Sequence, residues 1–133
     1  MNYLLYFVLM SLLIGSVFSY GKMRSMFLGY RDPLGVKINK YMDGWVITHF
    51  FAFMVAGIIF PETFYLTMTL GIVWEIFESW AGKTKPKFLR GIGDSRTVGQ
   101  STKRYWWYGQ VDDIIADFLG FMVGKLIIRK YIF

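Results

Sequence analysis

Six ionisable residues interrupt the apolar parts of this chain at spacings that could do chemistry: His49, Glu75, Glu78, Asp112, Asp113 and Asp117. On helices, Glu75 and Glu78 (i, i+3) share one face, and so do Asp113 and Asp117 (i, i+4). Asp112 points about 100° away from Asp113 and suits the positive N-terminal end of its helix. The glutamates sit near the negative C-terminal end of theirs, where acids are disfavoured, so this pair calls for a cation. Clustered carboxylate oxygens suit a hard divalent ion, calcium, magnesium or manganese, rather than a soft metal. The chain has no cysteine, which excludes disulfides and thiolate metal sites. The Glu-x-x-His pairs of a di-iron bundle are also missing.

Four apolar stretches must position these residues. The 133 residues are 55% hydrophobic and 20% aromatic, too oily for an ordinary soluble domain of this length. Residues 1–21 carry no charged side chain and as a helix reach about 30 Å, the thickness of a bilayer core. Residues 44–61 carry only His49, residues 63–82 only Glu75 and Glu78, and residues 111–124 are apolar apart from the three aspartates. We therefore expect an all-α, polytopic membrane protein, one membrane domain over 1–133 with four transmembrane helices in a compact bundle. The helices are expected at about 2–20, 44–60, 63–81 and 110–129, joined by basic loops at 21–43 and 82–106. The first stretch lacks the basic leader of a signal peptide and its apolar part is long, so a retained helix is expected.

Charge sets the expected orientation. Lys22, Arg24, Arg31, Lys37 and Lys40 fall in the first loop, and Lys83, Lys85, Lys87, Arg90, Arg96, Lys103 and Arg104 in the third. The turn at Pro61–Glu62 has no base. Both basic loops are thus expected to face the cytosol, although Lys125, Arg129 and Lys130 then lie on the opposite side. Anionic lipid accounts for the +6 net charge without nucleic acid, for which there is no motif. Trp106, Trp107 and Tyr108 would mark the interface where the last helix enters.

Helix order alone brings the ionisable residues to one depth. His49 lies early in the second helix, Glu75 and Glu78 late in the third, and Asp113 and Asp117 in the first turns of the fourth. All three places are near the same side of the membrane. A carboxylate facing lipid at depth costs roughly 3 kcal/mol, so the acids must face protein, water or a neutralising partner. Gly120 and Gly124 form a small-xxx-small pair suited to close helix packing.

The segments "WVITHFF", "WEIFESW" and "WWYGQVDDIIADFLGFMVG" occur in that order between Trp45 and Gly124. Together they resemble the core of the base-exchange phosphatidylserine synthases. The same block is similar to small VanZ-like bacterial membrane proteins, which share Glu-x-x-Glu-Trp and Asp-x-x-x-Asp followed by glycine. The resemblance implies a catalytic role for His49 and a calcium site using Glu75, Glu78 and Asp117. It implies Asp112 or Asp113 as a further acid, the synthase spacing favouring the first and the bacterial pattern the second. The synthases are far longer, and the asparagine expected before the glycines is missing, since Phe118–Val123 contains none.

The expected function is phospholipid headgroup chemistry at a divalent-cation carboxylate site; if the protein is an enzyme, it would be a transferase that exchanges the headgroup of a phospholipid. His49 would be general base on an incoming serine-like hydroxyl. Glu75, Glu78, Asp112, Asp113 and Asp117 would supply the metal ligands, with calcium expected first and magnesium or manganese as substitutes. Arg90, Arg96, Lys103 and Arg104 would hold the phosphate. The alternative is a non-catalytic membrane scaffold or subunit, a homo-oligomer or part of a membrane complex, that keeps the fold.

Overall fold

In the computed structural model of the chain, the described residues are 2–27, 33–35, 38–39, 42–84, 86–89, 92 and 111–133. Every regular element among them is helical. Helix α1 spans Tyr3–Phe27, α2 Gly44–Ile59, α3 Phe64–Thr84 and α4 Val111–Val123. One π-helical turn, Gly124–Ile128, carries α4 without a break into α5, Arg129–Ile132. Short 3-10 turns lie at Pro33–Gly35 and Lys87–Leu89. The chain is therefore all-α.

The helix ends follow from local chemistry. Asp43 caps α2, its carboxylate accepting the Val46 N–H at 3.0 Å, which satisfies one of the open donors of the first turn. Pro61 follows the end of α2 and has no N–H to extend it. The Thr63 hydroxyl donates to the Phe60 carbonyl at 2.8 Å and closes the hairpin into α3. No such stop follows the uncharged run of α1, which continues through Gly21, Lys22 and Arg24 to Phe27.

The tightest packing is between α2 and α4. A Cβ on Gly120 would overlap the Phe50 carbonyl, and one on Gly124 the Met54 carbonyl. The two backbones thus touch along a seam where only glycine fits. By contrast, α1 is held away from the other helices and meets them through large side chains. Near one end Tyr6 packs edge-on against Phe60 and hydrogen-bonds the Thr67 hydroxyl at 2.7 Å. Towards the other, Phe18 packs on Trp74 and Tyr20 on Trp45, and Arg24 donates to the Ile92 carbonyl at 2.9 Å. Residues Tyr3–Arg24 of α1, 22 in all, are long and apolar enough to cross a membrane.

Candidate functional site

Three helices deliver ionisable side chains to one buried point. Helix α2 supplies His49, two turns after its Asp43 cap. Helix α3 supplies Glu75, and α4 supplies Asp113 and Asp117. Glu75 and Asp113 are 5% and 3% exposed and Asp117 is fully buried.

His49 is the hub. Its Nδ1–H donates to Asp117 Oδ1 at 2.7 Å, because an ionised carboxylate can only accept. That bond leaves Nε2 facing the other way. Nε2 lies 3.8 Å from Glu75 Oε1 and 3.9 Å from Asp113 Oδ2. The ring stacks on Phe53 one turn along α2, with centroids 6.4 Å apart and planes 10° apart. Aspartate and phenylalanine together leave the imidazole little freedom to rotate.

The donor atoms of His49, Glu75 and Asp113 all lie within 4.8 Å of one another. Ligand atoms on a shared ion sit about 3–3.5 Å apart, so a shift of an ångström or so would bring these three into coordination. Two ionised carboxylates this close repel by about 3–4 kcal/mol at an effective dielectric of about 20. Asp113 Oδ1 and Asp117 Oδ2 are buried with no hydrogen-bond partner among the described residues. A buried carboxylate oxygen left in that state is costly, and a cation in the cluster would offset the cost. Drawn together, these three donors could hold a divalent ion. One imidazole nitrogen beside two carboxylates suits manganese, zinc or iron(II) better than calcium, which prefers oxygen alone.

The remaining expected residues fall into four groups. Glu78 lies beside Glu75 and the Trp74 side chain, next to the triad rather than in it. Asp117 meets the imidazole rather than the point on which the three donor atoms converge. Asp112 is only half-buried and is not among the converging residues. Arg90, Arg96, Lys103 and Arg104, expected to hold phosphate, lie outside the described residues, as do Trp106, Trp107 and Tyr108.

Two contributors escaped sequence reasoning. A Cβ on Gly71 would come within 2.7 Å of Asp117 Oδ2, so glycine makes room for the carboxylate that holds His49. Phe53 sets the plane of the imidazole. The signal was helical spacing, since Gly71 precedes Glu75 by four residues and Phe53 follows His49 by four.

No family model, no curated protein and no solved structure matches this chain.

Proposed function

We propose that this chain is a multi-pass membrane protein carrying a divalent-cation site for phospholipid headgroup chemistry, with the site near the cytosolic face. The multi-pass reading rests on the outward faces. Large apolar side chains are exposed on every long helix, among them Leu12 on α1, Phe51 on α2, Ile76 on α3 and Leu119 on α4. A water-soluble protein rarely exposes such continuous apolar surface. The basic residues that flank the helices on the site's side supply the orientation.

The observation that carries the site is the arrangement around His49, with Asp117 on one ring nitrogen and Glu75 and Asp113 facing the other. A carboxylate behind a metal-ligating imidazole is a recurrent way to fix its orientation and raise its basicity. In this reading His49, Glu75 and Asp113 hold the ion, Asp117 positions His49, and Glu78 lies beside them. When bound, the ion would polarise phosphoryl oxygens of a headgroup. The same geometry suits a second use of Nε2, as the base that accepts the proton of a serine-like hydroxyl when the ion is held by oxygen ligands alone.

The test is done on purified protein in lipid nanodiscs. Titration with manganese, zinc or calcium should show a saturable site in the wild type that Glu75→Gln weakens. Incorporation of radiolabelled serine into lipid, dependent on added ion, should accompany it if base exchange is the reaction. His49→Ala separates the two uses of Nε2: loss of ion affinity marks a ligand, whereas loss of turnover at full affinity marks a base. A melting temperature indifferent to calcium, magnesium, manganese and chelator would instead leave a non-catalytic membrane scaffold.

A further inference from the structure

Beside the ion site lies a partly open cavity of about 330 Å³ walled by α1, α2 and α3. That volume falls within the ~300–1,000 Å³ of typical small-molecule sites. Its sides are apolar, with Met10 and Ile14 from α1, Ala52 from α2 and Leu70 from α3. The cavity exists because α1 stands off from the other helices, propped by Tyr6 near one end and by Phe18 and Tyr20 towards the other.

The polar groups of the cavity are unequal at its two ends. At one end Thr67 is already bonded to the hydroxyls of Tyr6, at 2.7 Å, and Thr63, at 2.9 Å. At the other end His49 and Glu78 line the wall, where the cavity meets the ion site. On α3 the lining runs from Thr67 to Glu78, about 16 Å at the helical rise. One leaflet of a bilayer is about 15 Å of hydrocarbon. Spread over that length, 330 Å³ is a cross-section of about 20 Å², the width of one extended hydrocarbon chain.

We propose that this cavity holds a single acyl chain of a membrane lipid, its tail towards Tyr6 and Thr67 and its polar end against His49 and Glu78. The inference rests on the membrane placement and lipid chemistry proposed above, but not on an ion being bound. It adds that the lipid is gripped by one chain, in the plane of one leaflet, with α1 as the outer wall. Two sources carry this chemistry, one chain of a diacyl phospholipid or the only chain of a lysophospholipid.

The experiment places the full chain in nanodiscs containing either lipid, with a photoactivatable diazirine in one acyl chain, and maps the labelled residues by mass spectrometry. Expected is saturable labelling of Met10, Ile14, Ala52 or Leu70, competed by excess unlabelled lipid. Labelling of the outward-facing Leu12 and Ile76 by the surrounding bilayer should rise in proportion to the probe, without saturating. Leu70→Trp, or Ala52→Phe if the former does not fold, should reduce cavity labelling severalfold and leave the outward residues unchanged. Saturable cavity labelling by either lipid supports the proposal, and the lipid that labels names the source. Labelling spread evenly over cavity and outward residues, and indifferent to both substitutions, overturns it. Ion titration of the same samples separates the two readings. Cavity labelling without a saturable ion site leaves the acyl-chain assignment standing and removes the headgroup chemistry, whereas an ion site without cavity labelling does the reverse.

Discussion

His49 Nδ1 and Asp117 Oδ1 lie 2.7 Å apart, although 68 residues separate them in the chain. This bond decides what the rest of the cluster can do. It uses the ring nitrogen that points towards α4 and leaves the other facing Glu75 and Asp113. Asp117 thus acts through the imidazole, and its removal should be felt as a loss of orientation.

Asp117→Asn keeps the size of the side chain and removes its charge. Ion affinity is expected to fall about 10–100-fold, the usual effect of losing the carboxylate behind a ligating histidine, while the helical circular dichroism stays unchanged. Isothermal titration with manganese or zinc measures it. Affinity equal to wild type would mean that Nε2 is not a ligand.

Gly71→Ala tests the same bond from α3. Its new Cβ would sit 2.7 Å from Asp117 Oδ2, closer than real contacts allow, so Asp117 must shift and loosen its hold on His49. Affinity should fall in the same direction as in Asp117→Asn. The double variant should lose little more than the worse single one, because Asp117 and Phe53, which the new Cβ also meets at 2.9 Å, both hold the one imidazole.

Asp113→Asn should have opposite effects with and without the ion. In chelator the wild type holds the buried carboxylates of Glu75 and Asp113 close together, so the variant is expected to be more stable by on the order of 1–3 kcal/mol. With manganese at about 100 times its dissociation constant the wild type gains about 2.7 kcal/mol from binding, and the order should reverse. Thermal unfolding in detergent, with chelator and with manganese, reads both. A wild type that is the more stable in chelator would show that the carboxylates are already compensated.

Gly120→Ala probes the seam on which the site is built. Its Cβ would overlap the Phe50 carbonyl, and overpacking of this kind costs about 1–3 kcal/mol. Gly15→Ala is the control, since nothing lies within 4 Å of a Cβ there and alanine is the better helix former by about 1 kcal/mol. Unfolding by denaturant should rank Gly15→Ala at or above wild type and Gly120→Ala below it. Equal stability of the two variants would contradict close contact between α2 and α4.

Tyr6→Phe removes the hydroxyl that bonds Thr67 and keeps the ring on Phe60. In the proposed membrane placement, hydrogen bonds between helices average about 0.6 kcal/mol, so a small loss is expected, and Thr67 still has Thr63 at 2.9 Å. A melting temperature lowered by more than a few degrees would give the α1 prop a larger part in stability.

The sequence by itself determined the helical class and the level of each ionisable residue. If successive helices run antiparallel side by side, chain order and the fixed rise of a helix bring His49, Glu75, Glu78, Asp113 and Asp117 towards one end of the bundle. It also marked the seam, because Gly120 and Gly124 can serve close approach only if they face a neighbouring helix. Rotation about each helix axis is a different quantity, set by how neighbours interlock. Only the tertiary structure therefore decided that Asp117 meets Nδ1 while Glu75 and Asp113 face Nε2, and that Asp112 stands aside. The cavity beside α1 was equally illegible, since it is a distance between helices, propped open by Tyr6, Phe18 and Tyr20 meeting partners far away in the chain.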